Sequence, residues 1–333
     1  MGLFDKFKKN NVKSIYKKCD GLIEQKEYEK ALKCLDKALE LNPKYVNVWN
    51  NKAVVLGKLG KHEEELNCYE KSLELNPKDA DVWHNKGVTL YELERYEEAL
   101  EAYNNALELD KTKLNALNNK GIILKELGRY EEALEAYNSA LNLNPKYVNV
   151  WNNKAVVLEE LGKHEEELNC YEKSLELNPK DADIWYNKGV TLYELERYEE
   201  ALEAYNNALN LDKRNLRVLN NRSVILRKIG RYEEALKCLN EVLGMEPNKI
   251  EALGNKGITL NKLGRFQESL NCFNKLLKLN PNDKTGWHNK GLALKKLGKP
   301  EKALKCFNKA LELDPEYEIA FKGKKEILEG KIE

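Results

Sequence analysis

Apolar and polar residues follow a helical spacing that restarts every 34 residues along this chain. Between Trp49 and Pro77, apolar residues three or four positions apart predict one helix, a glycine ends it, and a second apolar series predicts another helix that stops before the proline. All five tryptophans are separated by multiples of 34 residues, and seven of the eight prolines share one phase. A fixed period of this length predicts a solenoid of helix pairs.

The period divides the chain into nine units between two terminal segments. Residues 1–11 are basic and amphipathic, which fits either a helix that covers the open end of the solenoid or a weak membrane-surface anchor. Residues 318–333 predict a C-terminal capping helix with a polar outer face. The nine units, together residues 12–317, are 12–45, 46–79, 80–113, 114–147, 148–181, 182–215, 216–249, 250–283 and 284–317.

The turn between the two helices of a unit carries a glycine in six units, as a left-handed helix stop requires. These are Gly60, Gly128, Gly162, Gly230, Gly264 and Gly298. Units three and six have Glu94 and Glu196 there instead, and Lys111 and Lys213 replace the proline, so we expect smoother helix boundaries in these two units. Residues 44–111 and 146–213 differ at only five positions, which indicates duplication of a three-unit block.

Six of the seven cysteines share one phase of the repeat, where other units have alanine. A position that accepts cysteine or alanine predicts a small buried side chain, and a free cysteine behaves as a small hydrophobe. No C-x-x-C motif is present, so a zinc or redox site has little support. The six are Cys34, Cys68, Cys170, Cys238, Cys272 and Cys306.

Charge is unevenly distributed although the net charge is only +1. Residues 1–20 carry +4, residues 21–213 carry −13 and residues 214–333 carry +10. This asymmetry indicates either partner selection by charge or a solvated surface without a partner. No apolar run approaches the ~18 residues that cross a bilayer, and no signal sequence follows Met1, so we expect a cytoplasmic location.

The repeat resembles the tetratricopeptide repeat (TPR) family over nearly the whole chain. The family pattern W-x2-L-G-x2-Y…A-x3-F…P is matched in unit three by Trp83, Gly87, Ala99, Tyr103 and Ala106, and in unit nine by Trp287, Gly291, Ala303, Phe307 and Pro315. Lysine, or arginine once, replaces the leucine after the tryptophan position, and its stem can cover apolar surface.

This resemblance implies an all-α, right-handed superhelical solenoid of about nine helix-turn-helix units. It implies first helices that line a concave groove, and a TPR-only scaffold of the archaeal or bacterial type that binds other proteins there. It also implies no catalytic activity, no cofactor, no metal and no small-molecule substrate. The clamp with which one subtype binds acidic chaperone tails is not matched, because Tyr16 and Asp20 stand where lysine and asparagine are needed.

One asparagine recurs in eight successive first helices, at a position that faces the groove in the family. Its amide can pair with both the N–H and the C=O of a bound peptide, but it can equally join neighbouring units by hydrogen bonds. An apolar residue follows one turn later, from Val54 in unit two to Leu292 in unit nine. The asparagines, which we call the Asn ladder, are Asn51, Asn85, Asn119, Asn153, Asn187, Asn221, Asn255 and Asn289.

The next turn of the same helices predicts partner specificity. It is acidic and aromatic in the middle units and basic in units seven to nine, which predicts a partner segment of the opposite polarity. The residues are Tyr91, Glu126, Glu160, Tyr193, Arg227, Lys262 and Lys296.

Two other classes of function compete with the scaffold. The basic residues 214–333 favour binding of nucleic acid or another polyanion, but their aromatic residues fall on core positions rather than on a stacking surface. An enzyme is disfavoured, because no phosphate-binding loop is present and no histidine has a cysteine, serine or carboxylate partner at a motif spacing. His62 and His164 share a position with Tyr96 and Phe266, as a structural role predicts.

Overall fold

The structure, a computed structural model, describes the backbone of residues 3–330 and the side chains of residues 12–330. Over residues 3–330 the chain forms 19 helices and no strand, so the predicted all-α class of paired helices is confirmed. The helices are α1 (Leu3–Glu24), α2 (Tyr28–Leu41), α3 (Val46–Lys58), α4 (His62–Leu75), α5 (Ala80–Glu92), α6 (Tyr96–Leu109), α7 (Leu114–Glu126), α8 (Tyr130–Leu143), α9 (Val148–Glu160), α10 (His164–Leu177), α11 (Ala182–Glu194), α12 (Tyr198–Leu211), α13 (Leu216–Lys228), α14 (Tyr232–Met245), α15 (Ile250–Lys262), α16 (Phe266–Leu279), α17 (Lys284–Lys296), α18 (Pro300–Leu313) and α19 (Glu318–Leu328).

The helices belong to two compact units, Met1–Leu177 with α1–α10 and Asn178–Glu333 with α11–α19. Within each, the two helices of a repeat pack against one another and each repeat packs on the next. Helix α1 runs without a break from Leu3 to Glu24, so residues 3–11 continue the first helix of repeat one. The two hypotheses for residues 1–11 depend on side chains that lie outside the described residues.

Small residues on the first helix allow a buried aromatic ring of the second helix to approach closely. A Cβ atom added to Gly121 would lie 2.4 Å from the Tyr137 ring, and one on Gly87 would lie 2.7 Å from the Tyr103 ring. Both tyrosines are buried. The glycine of the family pattern is therefore explained by packing between the helices of one repeat.

Each tryptophan stabilises the turn that precedes its own helix. Its Nε1 donates to the carbonyl oxygen of the proline six residues earlier, over 2.8–3.0 Å. The lysine three positions later lies over the indole ring, with its ammonium 5.0–5.7 Å from the ring centroid. In the five repeats that have a tryptophan, the lysine that departs from the family pattern thus packs on it, as expected for a long aliphatic stem.

The turn is the same whether glycine or glutamate occupies it, so the expectation of smoother boundaries in units three and six is wrong. Gly60 has φ of 72°, and Glu94 and Glu196 adopt φ of 58° and 57° in the same left-handed region. Helices α5 and α11 end at Glu92 and Glu194, as sharply as their counterparts. The surrounding helix pair imposes this conformation at a cost that glycine would not incur.

The C-terminal helix α19 packs on the last repeat through Ala320, Gly323 and Ile327, which are buried. Its outer face is not uniformly polar, contrary to the prediction, because Phe321 and Leu328 are 61% and 66% exposed. Leucines in the phase of Leu328 in earlier repeats are covered by their own second helix, as Leu294 is by α18. No second helix follows Leu328 within the described residues, up to residue 330.

Candidate interaction surface

All eight members of the Asn ladder lie half-buried on first helices. Four belong to α3, α5, α7 and α9, and four to α11, α13, α15 and α17. The apolar row one turn later has the same orientation, and Val54 and Val88 are its most exposed members at 39% and 36%. We call this side of the first helices the ladder face of each compact unit.

Five ladder amides donate hydrogen bonds to the preceding repeat, whereas Asn289 Nδ2 donates to the Thr285 carbonyl oxygen of its own helix. Asn153 Nδ2 lies 2.9 Å from Asn118 Oδ1, and Asn255 Nδ2 lies 3.0 Å from Asn220 Oδ1. The same position supplies a tyrosine or histidine acceptor elsewhere: Asn51 donates to Tyr16 Oη (3.0 Å), Asn221 to Tyr186 Oη (3.1 Å) and Asn119 to His84 Nε2 (3.4 Å). These contacts favour the role that joins neighbouring repeats, and the role in ligand binding stays a prediction.

Each ladder amide carries two N–H donors and an acceptor oxygen, and several of these groups are already used within the protein. Asn51 uses both donors within the protein, since its Nδ2 also lies 2.6 Å from Asp20 Oδ1. Asn255 Oδ1 accepts from Arg227 Nη1 at 3.0 Å.

Three cavities lie on the ladder face, each between two adjacent repeats. One of 340 Å³ is lined by Val54, Val88 and Asn85 in repeats two and three. A second of 170 Å³ is lined by Val190, Val224 and Asn221 in repeats six and seven. A third of 560 Å³ is lined by Ile258, Leu292 and Asn289 in repeats eight and nine. In each, two members of the apolar row flank a ladder asparagine, so the surface has apolar depressions beside amides.

The predicted specificity residues border this surface in different ways. Tyr193 lines the second cavity, and Lys262 and Lys296 line the third. Tyr91 packs on Tyr96 with ring centroids 5.8 Å apart. Glu126 pairs with Lys125 at 2.8 Å, and Glu160 is exposed. Arg227 is not a free cation of the surface: it bonds Asn255, and its burial lowers its pKa.

Two histidines have carboxylate partners, so the prediction that no histidine has one is wrong. His62 Nδ1 lies 3.1 Å from Glu65 Oε2, and His164 Nδ1 lies 2.9 Å from Glu167 Oε2. The partners are three residues apart on one helix, so they share a face. Glu65 and Glu167 are buried at a position where other repeats have alanine or, once, serine. The H-x-x-E spacing was the signal that could have revealed these pairs.

One of the six phased cysteines is not free. Cys34 forms a disulfide with Cys19, with Cα atoms 5.5 Å apart, which corrects the prediction that all six are free small side chains. The signal was positional: Cys19 occupies the small-residue phase of Ala53 and Gly87, opposite the cysteine/alanine phase of the second helix. For Cys68 and Cys170 the prediction holds, because burial raises the pKa of each thiol to about 11 and keeps it unreactive.

Within the described residues, no group of three or more histidines, cysteines or acids has a geometry suited to a metal ion. None of the described helices is long and apolar enough to cross a membrane.

Family models for the tetratricopeptide repeat match residues 78–146, 112–180 and 180–248, and also residues 250–283 and 285–317. Further models for this repeat match residues 20–60 and 46–79. A search of curated proteins found no match. A repeat fold of this kind supports a role as a protein-interaction scaffold and is generally non-enzymatic.

Solved structures show the same fold at low identity. A tetratricopeptide repeat protein from Parabacteroides merdae is 20% identical, with a TM-score of 0.55 over 75% of this chain and 98% of its own. Pseudomonas aeruginosa pilF is 24% identical, with a TM-score of 0.52 over 62% and 94%. The APC/C hetero-tetramer Cut9–Hcn1 is 19% identical, with a TM-score of 0.53 over 91% and 60%. With the models matching most of its length, the chain belongs to the tetratricopeptide repeat family.

Proposed function

We propose that this protein is a non-catalytic scaffold that binds an extended segment of a partner protein along the ladder face. The observation that carries the proposal is the coincidence of two periodic rows, the Asn ladder and the apolar row, with cavities at three places between adjacent repeats. Packed helices lie ~8–10 Å apart and an extended peptide rises ~3.3 Å per residue. A bound strand would therefore meet one amide at about every third residue.

Charge on the ladder faces of the two units supports a partner that is basic where it meets one unit and acidic where it meets the other. Glu126 lies in repeat four and Glu160 in repeat five, whereas Lys262 and Lys296 line the cavity of repeats eight and nine. A segment that is basic against the former and acidic against the latter would complement both, which chiefly increases specificity and association rate. Binding of a segment of the opposite polarity would contradict this proposal.

The test is affinity capture from native lysate with the wild type and the triple variant Asn153→Ala/Asn187→Ala/Asn221→Ala. A groove ligand should be retained by the wild type and lost by the variant, while circular dichroism shows unchanged helicity. Because these amides also join repeats, a matched control is needed. The double variant Asn118→Ala/Tyr186→Phe removes the acceptors of Asn153 and Asn221 but leaves both ladder amides in place.

The control separates the two roles of the ladder. Retention by the control and loss by the triple variant would support peptide binding. Loss by both variants would show that the ladder acts only by joining repeats. Equal retention by all three proteins would overturn the ladder face as the binding site, and retention of RNA alone would favour the basic C-terminal third.

A further inference from the structure

The 560 Å³ cavity of repeats eight and nine combines an apolar floor with a cationic wall. Ile258, Leu292 and Phe266 form the apolar part, and Lys262, Lys295 and Lys296 form the basic part. It lies between α15 and α17, and α19 contributes Glu326 to its lining. Such a lining fits a ligand that presents a large apolar group and an anion side by side.

Glu326 departs from the repeat pattern at this point. It lies 34 residues after Leu292, in the phase that holds an apolar residue in every repeat from Val54 to Leu292. Glu326 Oε2 is 2.9 Å from Lys295 Nζ, and the lysine side chain is only 10% exposed. The Glu326 side chain is 35% exposed. A shielded ammonium is thus neutralised by an acid that still has access to water.

A nearly buried ammonium is costly unless an anion accompanies it. If a ligand carboxylate replaces Glu326, the lysine stays paired and the displaced glutamate side chain can enter solvent. The exchange therefore avoids the penalty of an unpaired buried charge, whereas a neutral or cationic ligand does not. The adjacent Leu292 and Phe266 would shield an apolar side chain next to the ligand carboxylate.

We propose that this cavity binds an acidic residue adjacent to a large apolar side chain in the partner segment, and that Glu326 competes for the same subsite from within the chain. The inference rests on the proposed scaffold function and specifies the chemistry of one of its contacts. In the absence of a partner Glu326 occupies the carboxylate subsite. Helix α19 thereby sets a threshold that a partner must exceed.

The probe is a fluorescent, C-terminally amidated peptide of sequence Gly-Asp-Phe-Gly-Asp-Phe-Gly, whose binding is followed by anisotropy. The apparent dissociation constant is raised by the fraction of protein in which Glu326 occupies the subsite, so at about 90% occupancy its removal tightens binding on the order of tenfold. Glu326→Gln should therefore bind the peptide more tightly than the wild type, and Glu326→Asp should be intermediate. Lys295→Met should abolish binding.

Glu318→Gln is the matched control, since it makes the same charge change on an exposed position of α19 and should leave binding unchanged. Glu326→Gln binding no tighter than Glu318→Gln would overturn the competition. Equal binding of a peptide with lysine in place of aspartate would overturn the anion site. The proposed function fails separately, because its test alters Asn153, Asn187 and Asn221 and leaves this cavity intact.

Discussion

The duplicated segments 44–111 and 146–213 have diverged mainly on the ladder face. Three of their five differences, Gly57/Glu159, Lys58/Glu160 and His84/Tyr186, occur there. Of the other two differences, Val82/Ile184 exchanges one buried apolar residue for another. Glu108/Asn210 exchanges one exposed polar residue for another. The pattern shows which positions the fold requires and which it leaves open to change.

The differences Gly57/Glu159 and Lys58/Glu160 change the lining of a surface cavity and leave the hydrophobic core unchanged. In repeat two, Gly57 and Lys58 line the 340 Å³ cavity next to His62 and Glu65. In repeat five, Glu159 and Glu160 replace both and change the local charge by −3. A Cβ on Gly57 would lie 2.7 Å from the flexible Glu65 carboxylate, not from backbone. The site can therefore accept a side chain by a small shift, as the sequence of repeat five illustrates.

The largest effect should come from the core tyrosines that the two segments share. Tyr69 and Tyr171 are each 2% exposed. Tyr69→Ala and Tyr171→Ala should each lower the free energy of unfolding by about 3–5 kcal/mol, because each leaves a large cavity between helices. Urea denaturation followed by circular dichroism measures the loss. Tyr→Phe at the same positions is the control, and a loss restricted to one of the two repeats would break the equivalence of the two cores.

A second matched pair tests whether the disulfide of repeat one follows from the shared geometry. Ala53 faces Cys68, and Ala155 faces Cys170, in the phases of Cys19 and Cys34. Ala53→Cys and Ala155→Cys should each form a disulfide, which closes a 15-residue loop and is expected to stabilise by about 3 kcal/mol in the chain-entropy model. Thiol titration and unfolding with and without reductant measure both effects.

The control for these variants is Ala102→Cys, which places a thiol opposite Gly87 and has no cysteine to pair with. After denaturation, Ala102→Cys should have one more titratable thiol than the wild type. Ala53→Cys and Ala155→Cys should each have one fewer, because the new disulfide also consumes Cys68 or Cys170. If the engineered thiols of both variants stay titratable after oxidation, the geometry that allows the disulfide is restricted to repeat one.

The left-handed glutamates shared by the two segments should yield a smaller gain. Glu94→Gly and Glu196→Gly should each stabilise the protein by about 1 kcal/mol, because a non-glycine residue at φ near 58° is strained. Glu101→Gly, at an exposed position inside α6, should destabilise by a similar amount through loss of helix propensity. Thermal unfolding distinguishes these signs, and a loss of stability in Glu94→Gly would show that its side chain compensates for the strain.

Periodicity predicted the helix pairs, because apolar spacing, glycine and proline act locally in every repeat. It could not predict the acceptors of the Asn ladder, since a bond from Asn153 to Asn118 depends on side-chain rotamers and on how adjacent helices pack. It also missed that Glu94 adopts a glycine-like conformation, because tertiary packing outweighed its local preference. The aligned positions of Tyr16, His84 and Asn118 become intelligible only once each is seen to accept an amide hydrogen.

The smallest expected effect is a change in the pH dependence of stability. It concerns His84, whose counterpart in the second segment is Tyr186. Asn119 Nδ2 donates to His84 Nε2, and His84 Nδ1 lies 3.3 Å from Asn85 Oδ1, an arrangement that suits a neutral imidazole. Burial lowers the pKa of His84, an effect that Lys113 increases and that the Asn85 hydrogen bond and Asp81 oppose. The unfolded histidine, with a pKa near 6.5, takes up a proton first as the pH falls.

Stability should therefore decrease as pH drops below about 6.5, since the unfolded chain binds more protons there, and the decrease should level off below the folded pKa. His84→Tyr should keep an acceptor for Asn119, as Tyr186 does for Asn221, and lose this part of the pH dependence. Unfolding free energies of both proteins at pH 7.5 and 5.5 give the test. His288, whose pKa burial also lowers, remains in both and cancels in the difference. An identical loss in both proteins would mean that His84 titrates alike in the folded and unfolded chains, and that the exchange changed only the shape of the ladder face.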